Sequence, residues 1–306
     1  MFAVRDRLHY DVHEGSGEPM LLVHGIMGGR GLRSANIEAL RKMCSPIVVE
    51  LYGHGRSPAP DELDRYRADA YVEEFERIRT ELGVDRWWLT GQSLGAALTL
   101  RYCLDRPACV PGHVFTNSAS GLGDAAWVAE LTARAEGDAR RMERAGRAAL
   151  HDLKINPARS QRIVGSVRDA LTADEPLLDP NGIANGIRAT AIGASVRDRI
   201  AENEVPSLLV LGTLERGFAE TARFATAHMP HLSGGSRRVR SRTPWSSDRR
   251  GSPSGDDGRT DGLSAVHFCR SRPWQDGDAP VGQGSRVSAA ARWCVSATPT
   301  ALMATV

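Results

Sequence analysis

A serine flanked by glycines is the clearest chemical signature in this sequence. The segment GQSLG, residues 91–95, follows the apolar run Arg86–Thr90 and precedes the helical pattern AALTLRYCL. A strand, a sharp turn and a helix form the setting in which G-x-S-x-G exposes a nucleophilic serine. Gly91 and Gly95 suit this turn because it brings neighbouring backbone close. The pattern therefore predicts that Ser93 is a catalytic nucleophile.

Two backbone N–H groups are predicted to bind the negative charge that forms on a substrate oxygen. Leu94 begins the expected helix, where the helix dipole favours negative charge. The other donor comes from the glycine-rich segment HGIMGG, residues 24–29, at the end of the apolar run MLLVH. Gly25 lets this loop approach the serine, and the N–H of Ile26 or Met27 completes an oxyanion hole. A phosphate-binding loop is disfavoured because neither G-x-G-x-x-G nor a following Lys-Ser/Thr is present.

A third glycine-rich segment, GHGRS at residues 53–57, follows the apolar run PIVVEL. Like the first two, it lies directly after a predicted strand. We interpret His54 in this segment as structural rather than catalytic, because its neighbours shape a loop beneath the predicted site.

Short apolar runs alternate with longer amphipathic stretches through the first 231 residues. Such runs are typical of strands that are buried on both faces. Amphipathic stretches such as Ala70–Leu82 predict helices on both faces of a parallel sheet, which is an α/β architecture. We expect an antiparallel hairpin over Phe2–Val12, with its turn at residues 14–17, to lead the sheet. The predicted strands are Met20–His24, Pro46–Leu51, Arg86–Gly91, Gly112–Asn117 and Pro206–Gly212.

Residues 124–200 break this alternation. They are rich in Ala and Arg and have a helical period, with breaks at Pro-containing segments. The simplest interpretation is a helical insertion between two strands. The core then consists of residues 1–123 and 201–231.

The last 75 residues differ in composition from the rest of the chain. Residues 1–231 carry 28 Lys+Arg and 31 Asp+Glu, whereas residues 232–306 carry 11 Arg and 6 Asp. All 17 Glu and 10 Ile precede residue 232, and the tail has no periodic apolar pattern. The missing residue types have A/T-rich codons, and 37 Arg against 2 Lys indicate a G+C-rich gene. We interpret residues 232–306 as an atypical Ser/Arg/Gly-rich tail, read out of frame from about Leu232, with a disordered tail as the alternative.

Three segments, in this order and at this spacing, resemble the α/β-hydrolase superfamily and its single-cap, esterase-like branch. They are LLVHGIMG, ELYGHGRS and LTGQSLGAALTLRY, and the resemblance covers about residues 1–231. It implies an α/β-hydrolase fold, a mostly parallel sheet flanked by helices with a helical cap inserted after strand 6. The cap here is residues 124–200. The resemblance also implies a Ser/acid/His triad in that chain order, with the acid after the strand that follows the cap.

The acid of the triad is assigned by the same resemblance. The segment VLGTLE, residues 210–215, is similar to the family's strand-Gly-x-x-Asp segment, and Glu215 occupies the acid position. Glu can replace Asp there, and its role is to hold the tautomer of the His. The alternatives are that Glu215 is a solvated loop residue and that Asp124 is the acid.

The base of the triad departs from the family pattern. The His is expected after one more strand, where residues 239–245 read VRSRTPW and form no recognisable strand. His228 and His231 precede that position and would be displaced from the serine. His267, in the small apolar cluster SAVHFC, is the remaining candidate base. A frameshifted chain would lack the true base and an edge strand, which predicts poor stability and weak activity.

The expected function is that of a serine hydrolase cleaving a small ester, thioester or activated C–C bond through an acyl-enzyme on Ser93. This chemistry requires no metal and no organic cofactor. Families with the same signature include aromatic meta-cleavage-product hydrolases, proline iminopeptidases and lactonases. Epoxide hydrolases and haloalkane dehalogenases carry Asp in the elbow, so Ser93 argues against them. The alternative is an impaired relative that binds a small molecule without turnover because the triad His is missing.

Composition indicates which partners and which cellular location to expect. The net charge is +2, and acidic residues are interspersed among the Arg of the tail, so we expect a small-molecule substrate and no nucleic acid. No apolar run approaches the roughly 20 residues of a membrane helix, and the N-terminal segment lacks a signal-peptide core. We therefore expect no membrane association and a cytoplasmic location. Five widely spaced Cys indicate neither a disulfide framework nor a zinc site, and the oligomeric state stays open.

Overall fold

The structure is a computed structural model that describes residues 6–116, 118–153, 155–160, 163, 165–212 and 216–237. Two of the predicted site residues, Glu215 and His267, lie outside the described residues. The chain from residue 238 onwards lies outside them as well.

The described residues form a seven-stranded sheet in the order β1-β3-β2-β4-β5-β6-β7. The first strand is antiparallel to its neighbour, and every other pair is parallel. The predicted mostly parallel sheet of an α/β fold is thus confirmed. The strands are β1 (Tyr10–Val12), β2 (Pro19–Val23), β3 (Ser45–Val49), β4 (Trp88–Gln92), β5 (His113–Thr116), β6 (Ser207–Gly212) and β7 (Leu232–Arg237).

Helices cover the sheet on both sides, as predicted for strands buried on both faces. Leu21 and Val23 of β2 pack in one apolar cluster with residues of the second and third helices. Met20 and Leu22, which alternate with them, pack in a second cluster with Leu40 of the first helix. The α-helices are α1 (Ser34–Leu40), α2 (Ala68–Glu81), α3 (Leu94–Asp105), α4 (Ala119–Leu122), α5 (Ala125–Ala145), α6 (Arg147–Asp152), α7 (Gly165–Asp174), α8 (Pro180–Asn185) and α9 (Ala219–His228).

The leading segment does not form the predicted hairpin. β1 pairs with β3, with Tyr10 opposite Val49, and β2 lies on the far side of β3. The turn between β1 and β2 packs against the loop before β3, where Ser16 N–H donates to Arg41 O at 2.9 Å. A Cβ atom on Gly15 would clash with the backbone of this loop. Because the turn is held there, β3 lies between β1 and β2.

Helices α4 to α8 lie between β5 and β6, and α5 to α8 occupy most of the predicted insertion. Their apolar cluster includes Ala139, Met142 and Ile183, and it also contains Met27 from the loop after β2. Within the described residues the insertion follows the fifth strand rather than the sixth, and residues 1–5 are not described.

The last strand extends the sheet beyond the predicted boundary at residue 231. β7 pairs in parallel with β6 over its whole length, from Leu232 opposite Ser207 to Arg237 opposite Gly212. The prediction that this edge strand is missing is therefore wrong. It relied on alternating apolar side chains, whereas an edge strand can be held by backbone hydrogen bonds alone.

Within the described parts of the chain, none of the helices combines the length and the apolar character that crossing a membrane requires.

Candidate active site

Ser93 lies in the sharp turn between β4 and α3. Its backbone has φ 54° and ψ −115°, a conformation that a residue with a side chain rarely adopts and that is typical of functional turns. Its carbonyl accepts hydrogen bonds from the N–H of Ala96 at 3.0 Å and from the hydroxyl of Ser118 at 2.9 Å. The turn is therefore fixed from two elements. The Ser93 hydroxyl has no hydrogen-bond partner among the described residues.

The two glycines of the motif lie where a side chain has no room. A Cβ atom on Gly91 would be 2.6 Å from the Cα of Ala96, and one on Gly95 would be 2.5 Å from His24 O. Both distances are shorter than van der Waals contact allows. The spacing of the motif thus reflects close backbone contacts of α3 with β4 and β2.

The glycine-rich loop after β2 lies directly against the serine turn. A Cβ atom on Gly25 would be 2.9 Å from the Cβ of Ser93. The Gly25 N–H donates to the side-chain oxygen of Gln92 at 2.9 Å, and Gly28 N–H closes the loop on Gly25 O at 2.9 Å. Gln92 therefore ties the loop to the turn, a role that sequence reasoning missed because it depends on a contact between distant segments.

The two predicted oxyanion donors of this loop, the N–H groups of Ile26 and Met27, differ in their hydrogen bonding. Met27 has φ 58°, and its N–H donates to Nε2 of His54 at 3.0 Å. It is therefore not free to bind an oxyanion, which corrects that part of the prediction. The N–H groups of Ile26 and Leu94 make no hydrogen bond within the described part of the chain. These two remain as candidate oxyanion donors.

Two buried histidines hold this loop in place. His54 accepts from Met27 N–H through Nε2, so its Nδ1–H donates to Tyr52 O at 2.9 Å. His24 accepts from Leu51 N–H through Nε2 at 3.1 Å and donates through Nδ1–H to Gly25 O at 2.7 Å. The two rings are 4.7 Å apart.

Both of these histidines are electrically neutral. Burial lowers the pKa of His54 to about 4. Burial, with a smaller effect of the His54 ring, holds the pKa of His24 well below its usual value. Because both ring nitrogens of each are occupied, neither can accept a proton from Ser93.

The other described histidines do not supply a base. His113 is the first residue of β5 and His231 precedes β7, so both lie at the amino edge of the sheet, opposite Ser93. His228 ends α9, three residues before His231. The remaining histidines are His9 and His13, beside β1, and the exposed His151, which is paired with Glu175.

Asp124, the alternative acid, caps a helix. Its carboxylate accepts from Trp127 N–H at 2.8 Å at the start of α5, and the residue is exposed. The preferred acid Glu215 and the candidate base His267 lie outside the described residues. The strands that precede them in the chain, β6 and β7, both end at the same edge of the sheet as β4. No group of three or more His, Cys, Asp or Glu in the described segments could hold a metal ion.

Known proteins match this chain in sequence and in fold. Residues 18–158 match the family model described as alpha/beta hydrolase fold. Over 103 residues the chain is 32% identical to a proline iminopeptidase of Heyndrickxia coagulans, an alignment that covers 34% of this chain and 36% of the relative. Over 114 residues it is 32% identical to haloalkane dehalogenase 2 of Mycobacterium bovis, covering 37% of this chain and 39% of the relative.

The chain thus spans just over a third of the length of these curated relatives. The structure of MenH from S. aureus is similar over 74% of this chain and 88% of that protein, with a TM-score of 0.66 and 18% sequence identity. The sheet order and the serine turn between β4 and α3 agree with the match to the family model. The described part of the chain has the α/β-hydrolase fold, and residues 18–158 match the model of that family.

Proposed function

We propose that the protein is a serine hydrolase that cleaves a small ester, thioester or activated C–C bond through an acyl-enzyme on Ser93. The observation that carries the proposal is the serine turn, in which a strained Ser93 lies against the Gly25 loop. The free N–H groups of Ile26 and Leu94 flank this turn, as an oxyanion hole requires. Ser93 also argues against the Asp chemistry of dehalogenases.

The reaction begins when the Ser93 oxygen attacks a carbonyl carbon and its proton passes to a base. The oxyanion is held by Ile26 and Leu94, and the leaving group departs with the proton from the base. Water then hydrolyses the acyl-enzyme by the same steps. We assign His267 as the base and Glu215 as the residue that orients it. The end of β6 supports Glu215, which follows it by three residues at the serine edge of the sheet. His267 is assigned because it is the one histidine of the sequence after residue 231.

The helical insertion is proposed to form a cap over a small-molecule substrate. Met27, next to the candidate donor Ile26, is buried among residues of the insertion such as Met142 and Ile183. The proposed division is a core of residues 1–123 and 201–237, six residues longer than the sequence indicated, and a cap of residues 124–200. The cytoplasmic setting stays a prediction.

A protein that binds a small molecule without turnover is the second candidate. It is favoured by the lack of a histidine available to Ser93 in the described segments. The two candidates differ in the reactivity of Ser93, because only an activated serine reacts rapidly with a fluorophosphonate.

The discriminating experiment is labelling of the 306-residue protein with a fluorophosphonate, followed by mass mapping. We expect one adduct, on Ser93, which Ser93→Ala removes and the exposed control Ser166→Ala keeps. An unlabelled wild-type protein, or a label that survives Ser93→Ala, contradicts a serine hydrolase.

The assignment of the base needs a matched pair of histidine variants. His267→Gln is expected to lower kcat by roughly 10³-fold or more, as removal of a triad member does. His228→Gln, at the opposite edge of the sheet, is expected to leave kcat unchanged. Equal activity of the two variants removes His267 from the mechanism.

A further inference from the structure

Arg33 is buried without a counter-ion in the described part of the chain. It is only 4% exposed, and it ends the 3₁₀ turn Arg30–Arg33 that follows the loop beside Ser93. Its Nη2 donates to Val23 O at 3.3 Å, and its Nε makes no hydrogen bond. No described carboxylate forms an ion pair with it.

Two other buried or partly buried charges in the described residues are paired, and Arg33 is not. The buried Glu50 pairs with Arg56 at 3.1 Å, and Asp174 pairs with Arg30 at 3.4 Å. Burial lowers the pKa of Arg33 to about 10, so its guanidinium is still charged at neutral pH. An unpaired buried charge destabilises the folded state. The unpaired Arg33 charge therefore lowers the stability of the folded protein.

The Arg33 guanidinium lies near the serine turn. Val23, which binds the guanidinium, is the last residue of β2 and lies two residues before Gly25. A Cβ atom on Gly25 would be 2.9 Å from the Cβ of Ser93. A Cβ atom on Gly95, two residues after Ser93, would be 2.4 Å from Val23 O, the atom that accepts from Arg33. With 3.8 Å between consecutive Cα atoms, the guanidinium lies on the order of 10 Å from the serine.

No described carboxylate forms an ion pair with Arg33, so no such pair cancels its field. The rings of His24 and His54, which lie at the end of β2 and in the loop after β3, are neutral. The Arg33 charge adds to the effects that lower the pKa of His24. The positive field of Arg33 thus extends into the loop that carries the Ile26 N–H.

We propose that Arg33 is a positioning residue that stabilises the oxyanion of the transition state through its field, without touching the substrate. This inference rests on the proposed hydrolase function. As the bond from the Ser93 oxygen forms, the serine proton passes to the base and the carbonyl π electrons move to oxygen. The Ile26 and Leu94 N–H groups bind that oxygen, and Arg33 lowers its energy further. The electrons return when the leaving group departs.

The size of the effect follows from Coulomb's law. Two unit charges about 10 Å apart, at an effective dielectric constant of about 20, interact strongly enough to change a rate by about tenfold. The ground state has no negative charge on this oxygen, so binding of a neutral substrate is unaffected.

The test compares Arg33→Met, which removes the charge, with Arg33→Lys, which keeps it. The control is Arg101→Met on α3, because Arg101 is paired with Asp69 at 2.6 Å. The readouts are kcat and KM for a neutral nitrophenyl ester per fluorophosphonate-titrated site, the melting temperature, and the affinity for butylboronic acid. The boronic acid forms a negatively charged tetrahedral adduct on a reactive serine.

Arg33→Met is expected to lower kcat and boronic-acid affinity about tenfold, with KM within twofold of wild type. Its melting temperature is expected to rise by about 2–4 °C, because an unpaired buried charge is removed. Arg33→Lys and Arg101→Met are expected to keep kcat within about threefold.

A purely structural role for Arg33 predicts the opposite pattern, in which the melting temperature and the titratable fraction fall together. That result, or an unchanged kcat in Arg33→Met while wild type turns over, overturns the inference and leaves the hydrolase function intact. A wild-type protein that neither labels nor turns over contradicts the hydrolase function itself and this inference with it.

Discussion

Three N–H groups of the loop beside Ser93 have hydrogen-bond acceptors. Gly25 donates to Gln92, Met27 to His54 and Gly28 to Gly25, which leaves Ile26 free. The geometry of the proposed oxyanion hole therefore depends on side chains that do not contact the substrate.

Gln92→Met tests this dependence with little change in volume. The variant removes the acceptor of the Gly25 N–H, so the loop is held less well and kcat should fall about tenfold with little change in KM. Steady-state kinetics per titrated site gives the answer. A melting temperature near that of wild type serves as the control, and an unchanged kcat contradicts the role of Gln92.

The sequence could place Ser93, Gly91 and Gly95 in a sharp turn between a strand and a helix because their signal is local. A strand, a turn and a helix lie next to one another in the chain, and the motif needs small residues at fixed spacing. The pairing of Met27 with His54 joins positions 27 residues apart. No spacing rule indicates such a contact, so Met27 was wrongly retained as a possible oxyanion donor.

The helical insertion is joined to the core by close backbone contacts. Asp179 N–H donates to Gly53 O at 2.9 Å, and a Cβ atom on Gly182 would be 2.5 Å from the Cα of Gly53. On α7, Asp174 accepts from Gly31 N–H at 2.9 Å. The insertion is therefore anchored at the Gly53 loop and at the 3₁₀ turn that follows the Gly25 loop.

Glycine substitutions in two helices should have opposite effects. Gly182→Ala is expected to destabilise the protein by about 1–3 kcal/mol, because the new methyl group meets backbone that cannot move away. Gly137→Ala, in the middle of α5 with open space around it, is expected to stabilise by about 0.5–1 kcal/mol. Denaturant unfolding of both variants measures the difference. Equal stability of the two contradicts a tight contact at Gly182.

Sequence patterns located strands β2 to β6 and helices α2 and α3 but not every strand pairing. α2 was expected from the spacing of Tyr71, Phe75 and Ile78, and all three are buried. β7 was not expected because its residues, LSGGSR, lack an apolar pattern. The pairing of β1 with β3 was not predicted, because two strands joined by a turn need not pair with each other.

At the scale of the whole molecule, buried histidines link stability to pH. Burial lowers the pKa of His54 to about 4 and of His113 to about 3, and His24 is shifted in the same direction. Below the usual His pKa near 6.5 the unfolded chain binds protons that the folded chain does not. The contribution of these neutral rings to the free energy of unfolding is therefore fully present above about pH 6.5, and it is lost as the pH falls towards 4.

We expect the melting temperature to fall by at least about 5 °C between pH 7 and pH 5. This range lies above the usual carboxylate pKa values, so carboxylates with lowered pKa, such as Asp11, add little to the loss there. His113→Leu should flatten the dependence, whereas the exposed control His228→Leu should not. A melting temperature that does not change over this range contradicts the neutral burial of these rings.

The architecture could be predicted from the sequence because alternating strands and helices leave a pattern in the first 231 residues, outside the helical insertion. The complete site could not, because a contact between segments that are distant in the chain leaves no local pattern in the sequence. Glu215 and His267 therefore stay predictions, while the serine turn and the two free N–H groups have defined positions.

The central claim is that Ser93 carries a covalent intermediate, and turnover of a short-chain nitrophenyl ester tests it most directly. Wild-type protein and Ser93→Ala are assayed side by side at equal concentration. We predict repeated turnover by wild type and a loss of roughly 10³-fold or more in Ser93→Ala. Equal rates for the two proteins, or no turnover by either, would contradict it.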